Sequence, residues 1–104
     1  MFKNELVVKV PHRLTQQEAR RRIEAGVESL RQKYADRIGA LETNWEGDRL
    51  TSTVKVLGAS VSSQVDVEPH EVVVAIRLPF VLAVLKDKIQ SKIVSHSTKL
   101  LRVR

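Results

Sequence analysis

Between Leu41 and Leu78 the chain alternates apolar and polar residues and is cut three times by turn signals, Gly47-Asp48, Gly58-Ala59 and Glu68-Pro69-His70-Glu71. That pattern constrains the fold more than any other part of the sequence. A side-chain period of two belongs to a strand with one covered face, and a slip of one residue would turn every apolar side chain outward. A two-residue loop at Gly47-Asp48 sets Trp45 opposite Leu50 and Leu41 opposite Val54. A loop at Gly58-Ala59 sets Val56 opposite Val61 and Leu50 opposite Val67. A loop centred on Pro69-His70 sets Val67 opposite Val72, Val65 opposite Val74 and Val61 opposite Leu78. All three registers put the apolar residues on one face. Glu42, Asn44, Thr51, Thr53, Lys55, Ser60, Ser62, Gln64 and Asp66 then form a polar face. The expectation is a four-strand antiparallel meander.

The flanking segments supply what such a sheet needs to cover its apolar side. Glu5 to Val10 alternates with Leu6, Val8 and Val10 on one side and ends at Pro11, so it reads as a further strand. Its place in the sheet is open. Thr15-Gln16-Gln17-Glu18 is a capping-box pattern, with Thr15 accepting from the Glu18 amide and Glu18 reaching back. Ala19, Ile23, Val27, Leu30, Tyr34 and Ile38 follow at helical spacing, and Gly39 sits where a C′ glycine would end the helix. Pro79 can open a second helix, whose stripe is Val81, Leu85, Ile89, Ile93, His96 and Leu100. The predicted order is β-α-β-β-β-β-α, an α+β fold with both helices packed on one face of the sheet. At 104 residues the chain suits a single domain, residues 1–104.

Few chemistries remain open to this residue set. The chain has no cysteine, which excludes disulfides and thiolate metal sites and fits a reducing compartment. His12, His70 and His96 fall on a loop, a turn and a helix without ligand spacing. No serine lies in a nucleophile elbow, and the dispersed glycines make no phosphate-cradling loop. No catalytic, metal or cofactor site is expected, and the chain reads as a non-enzyme. It has no apolar run of signal-peptide length at its start and no block long enough to span a bilayer. The expected localisation is cytoplasmic.

Two surfaces are candidates for binding. The formal net charge is +6, which favours acidic partners such as nucleic acid, anionic lipid or an acidic protein. Arg20 and Arg21 in the first helix and Lys86, Lys88, Lys92 and Lys99 in the second make up the candidate basic surface. No aromatic base-stacking platform accompanies them. The segment Pro79 to Leu85 is apolar all round. Either it is buried against the first helix, or Phe80, Leu82 and Val84 form an exposed patch for self-association, as in a homodimer, or for docking on a hydrophobic body. A small carrier is the remaining class, with a hydrophobic ligand lined by Val54, Val65, Val74 and Ile89.

Several short motifs point to a family. Pro11-His12 precedes a long Ala/Arg/Glu-rich helix. Trp45, Gly47, Asp48 and Leu50 form a Trp-x-Gly-Asp-x-Leu motif at the head of the valine-rich meander. Arg77 to Phe80 reads Arg-Leu-Pro-Phe before a Lys/Ile-rich terminal helix. Over roughly Val8 to Leu101 the chain resembles the polyhydroxyalkanoic acid system family of small bacterial proteins, also described as polyhydroxyalkanoate granule regulatory proteins. The segment Asp36 to Thr43 is longer than the family pattern. The resemblance implies a cytosolic accessory protein of storage-polyester metabolism whose partners are the polyester granule or granule-associated proteins. It carries over no catalytic residue. Nucleic-acid regulation through the basic helices is the alternative.

Overall fold

The computed structural model describes residues 5–36, 38–56 and 58–102. The chain runs β1 (Glu5–Pro11), α1 (Gln16–Lys33), β2 (Ile38–Glu46), β3 (Arg49–Val56), β4 (Ala59–Val67), β5 (Glu71–Arg77), a short 3-10 helix (Phe80–Leu85) and α2 (Lys86–Leu100). The strands form one antiparallel sheet in the order β1-β5-β4-β3-β2. The meander is therefore present, and β1 joins it as an edge strand on β5, pairing Leu6 with Ile76, Val8 with Val74 and Val10 with Val72. Both helices pack on the same face of the sheet, giving the expected α+β fold.

Two of the three predicted registers hold. Trp45 faces Leu50 and Leu41 faces Val54 across β2–β3, and Val67 faces Val72 and Val65 faces Val74 across β4–β5. The middle hairpin differs. Val56 pairs with Ala59, so Leu50 faces Val65 rather than Val67, and Val54 rather than Val56 faces Val61. Gly58 has φ +80 and takes the second loop position, where a positive φ costs glycine little and alanine more. The error is two residues, so it leaves every side chain on its predicted face. The β4–β5 ladder stops at Ser62–Arg77, so Leu78 is not paired with Val61. It leaves the sheet and is buried.

Helix α1 begins as predicted, with Thr15 Oγ1 accepting from the Glu18 amide at 3.1 Å. The reciprocal half of the capping box is absent. Glu18 instead accepts from Arg21 and Arg22. The helix also stops early, at Lys33 with Tyr34 as its cap. Ile38 and Gly39 belong to β2, beside a register shift between Ile38 and Leu41. A Cβ on Gly39 would lie 3.1 Å from Lys55 Cβ, so here the glycine serves a close strand approach rather than a helix end.

Where the helices meet, the fit is tight. Gly26 lies against Leu100, whose methyl would be 2.5 Å from an added Cβ. Arg22 Nη1 donates to the Leu100 and Arg102 carbonyls at 3.3 and 2.6 Å. This cation caps carbonyls that the end of α2 leaves unpaired. The core gathers Leu6, Val8, Val10, Ala19, Ile23, Leu50, Val67, Val72, Val74 and Leu101.

Candidate functional site

The two ends of this layered structure are built differently, and the difference locates the surfaces available for binding. At the end where β1 leaves the sheet, polar side chains tie the turns together. His12 is buried. Its Nδ1 accepts from the Leu14 amide at 3.1 Å, so its Nε2 carries the hydrogen and donates to the Glu68 carbonyl at 2.8 Å. The His12 amide donates to the His70 carbonyl at 2.9 Å. Gln16 Nε2 donates to the Val67 carbonyl and to Asp48 Oδ2, and the Val67 amide donates to the Asp48 carbonyl. Both ring nitrogens of His12 are thus used in joining β1 to the β4–β5 turn. Among the described residues, no three His, Asp or Glu side chains are grouped to hold a metal ion.

The opposite end carries the β3–β4 connection, the last turn of α1 and the short 3-10 helix. Across β2, β3 and β4 the inner-face row Leu41, Val54 and Val61 is only half-buried. Leu30, on the inward stripe of α1, remains 37% exposed, and Leu85 is 40% exposed. The next row toward the closed end holds Thr43, Ser52 and Ser63, and the Ser52 and Ser63 hydroxyls are hydrogen-bonded to each other. That pairing lets two polar groups sit on an otherwise apolar face.

The candidate docking segment divides. Leu82 is 4% exposed and belongs to the interior, where its amide also closes the turn on the Pro79 carbonyl. Val84 is 87% exposed. The Phe80 and Val81 side chains lie outside the described residues. A 3-10 segment has three residues per turn, so residues two apart point different ways, and Leu82 and Val84 cannot share a face. Sequence reasoning passed over Leu85 and Leu30 as docking residues because both sit in stripes that read as core. Their apolar character was visible, but the lack of cover was not.

The candidate basic surface is also sorted by the fold. Arg20 lies over the Trp45 ring, 4.4 Å from its centroid, a cation–π contact that turns the charge toward the sheet. Arg21 and Arg22 both bind Glu18, at 2.6 and 2.9 Å. Hydrogen bonds from Arg21, then Arg22, hold the Glu18 carboxyl at about 2, well below its ordinary value. The triple-arginine run is thereby largely occupied within the molecule. Lys88, Lys92 and Lys99 on α2 are exposed and Lys86 is half-buried, and none of the four has an ion-pair partner among the described residues. The structure leaves these α2 lysines with available positive charge.

Two surface clefts lie on the β2 side. One, of about 280 Å³, is lined by Glu42, Thr43, Asn44, Thr51, Ser52 and Thr53. The other, of about 110 Å³, runs between α1 and the sheet beside Glu24, Val27, Glu28, Arg31, Thr43, Trp45 and Leu50. Neither contains Val54, Val65, Val74 or Ile89, the residues expected to line a carrier's cavity. No helix among the described residues is long and apolar enough to cross a membrane.

No curated protein and no solved structure matches the chain. A family model does, the one described as "putative polyhydroxyalkanoic acid system protein", over residues 6–101. Its description names a metabolic system rather than a reaction. The matched span takes in both helices, the apolar turn between β5 and α2 and all of the sheet but the first residue of β1, and the chain belongs to the polyhydroxyalkanoic acid system protein family.

Proposed function

We propose that the protein is a non-enzymatic accessory factor of polyhydroxyalkanoate storage that docks on the polyester granule surface through its open end. The observation that carries this reading is Val84, 87% exposed beside a partly exposed Leu85. The two side chains sit immediately before a helix whose unpaired lysines, Lys88, Lys92 and Lys99, are in solvent. A hydrophobic body with an anionic coat would meet both features at once. The apolar pair gains by leaving water, at about 25 cal/mol per Å² buried, and the lysines speed and orient approach.

Sedimentation of the purified protein with isolated granules over a salt series tests this reading. Both substitutions in Val84→Ser/Leu85→Ser fall on exposed side chains, so the fold should persist. The expected result is binding that survives high salt and drops at least tenfold in that variant. Lys88→Gln/Lys92→Gln/Lys99→Gln should weaken binding only at low salt. Absence of granule binding, with steeply salt-dependent retention on duplex or single-stranded nucleic acid, would replace this reading by the nucleic-acid regulator.

A further inference from the structure

The two helices treat their cations in opposite ways. In α1, Arg21 and Arg22 pair with Glu18 and Arg31 pairs with Glu28, each across one turn. In α2 no carboxylate stands one turn from Lys88, Lys92 or Lys99; Lys88 instead has Val84 and Lys92 as its neighbours four residues away. The three lysines are exposed, as is Ser95 among them. At about 100° per residue they fall within about 40° of one another around the helix, along about 16 Å of its length. Asp87, the one acid in α2, lies about 100° outside that arc. Lys88 and Lys92 are like charges one turn apart, an arrangement that weakens a helix by itself. Local conflicts of this kind concentrate at functional sites.

We infer that the solvent face of α2 lies on a layer of anionic lipid headgroups, with Lys88, Lys92 and Lys99 against the phosphates and Val84 in the apolar boundary beneath them. A straight row of cations on a convex helix matches a flat anionic layer. Val84 decides between polyanions. It is 87% exposed just ahead of the row; a nucleic-acid backbone would leave it in water, whereas a headgroup layer buries it. The row also lacks the aromatic side chains on which unpaired bases stack. Each lysine near an anionic lipid surface is worth about fivefold in affinity, so the three together give roughly a hundredfold. The inference rests on the docking reading for the role of Val84 and names the anionic component that the lysines meet. Lipid vesicles carry no polyester, so the two readings can fail separately.

Flotation of the full chain with vesicles of mixed phosphatidylglycerol and phosphatidylcholine, against vesicles of phosphatidylcholine alone, tests the inference. The wild type should float with the anionic vesicles and not with the neutral ones, more strongly at low salt than at about 0.15 M, where the screening length is about 8 Å. Lys88→Gln/Lys92→Gln/Lys99→Gln should lower the affinity at least about tenfold. Lys9→Gln/Arg13→Gln/Lys55→Gln removes the same charge from other exposed positions and should bind as the wild type does. All six substitutions fall on exposed side chains, and circular dichroism would verify the fold. The chain has no cysteine, so Val84→Cys takes one environment-sensitive dye, whose emission should shift to the blue on anionic vesicles while the same dye on Val7→Cys stays unchanged. Equal binding to neutral vesicles, or equal losses in the two triple variants, overturns the inference. Lysine-dependent retention on duplex nucleic acid without vesicle binding overturns it too, by giving the row to nucleic acid. Granule binding without vesicle binding also overturns it and leaves the docking reading in place.

Discussion

One end of the sheet is fastened by several polar side chains and the other by little more than the Arg31 bond to the Leu41 carbonyl, although the same alternation of valines runs through both. At the fastened end the inner row Val67, Val72 and Val10 is buried, and His12, Gln16 and Asp48 use their polar atoms to hold the loops against it. At the other end Leu41, Val54 and Val61 stand in the same alternation, on the same face, and stay half-buried. The strands are alike, and what differs is the cover. Helices α1 and α2 touch at Gly26 and Leu100, next to the Arg22 bonds to the end of α2. The outer half of α1, marked by the exposed Leu30, is held by a single bond to the sheet, from Arg31 Nη1 to the Leu41 carbonyl at 3.1 Å. Stability is therefore expected to concentrate where the loops are latched, while binding draws on what was left uncovered.

The largest test of this contrast is a pair of truncations. Leu50→Ala removes a side chain only 2% exposed and should cost about 3 kcal/mol, whereas Leu30→Ala should cost under about 1 kcal/mol. Urea denaturation would measure both, and similar losses would erase the distinction between the ends. Next in size is His12→Ala, which takes the side-chain partner from the part-buried Glu68 carbonyl and Leu14 amide and should cost about 1–2 kcal/mol. A change of a few tenths would mean that the latch does not hold the closed end. Trp45→Ala lies between the ends. Because Trp45 is only half-buried under Arg20, the expected loss is about 2 kcal/mol, less than for a fully enclosed indole. Gly47→Val should cost about 1–2 kcal/mol through its φ of +61, since the left-handed region penalises a Cβ. Thermal melting would read that shift.

The smallest effect is a pH dependence at the start of α1. The folded-state value of Glu18 is lowered to about 2 from 4.5, so its contribution is fully present above about 4.5 and fades as pH falls toward 2. The melting temperature of Glu18→Gln should lie slightly below wild type at neutral pH, and the gap should close over that acid interval. A gap that persists at pH 2 would assign the effect to the shape of the side chain rather than its charge.

Much of the fold is legible in the chain because strand alternation, turn glycines and the Thr15 cap act over a few residues. The β2–β3 and β4–β5 registers follow from their turns in this way. The middle hairpin was misplaced because Gly58 can occupy either loop position when only face agreement is demanded, and a two-residue shift preserves the face. The end of α1 was also misread. Ile38 continues the helical spacing and Gly39 looks like a stop, but both fall in β2, where Ile38 pairs with Val56.

The candidate surfaces were less legible. Val84 and Leu82 have the same apolar character in sequence, and only the 3-10 path of the chain turns one outward and the other inward. Arg20 and Lys92 carry the same charge, and only the approach of α1 to the sheet sets Arg20 over the Trp45 ring, whereas the pairing of Arg21 and Arg22 with Glu18 follows from their spacing within α1. Periodicity is a local property, and it determined which residues can share a face. Whether a face meets a covering element depends on where two helices cross a sheet formed by distant strands. That crossing, set by Gly26 against Leu100 and by Arg22 on the last carbonyls of α2, was decided by the tertiary structure alone.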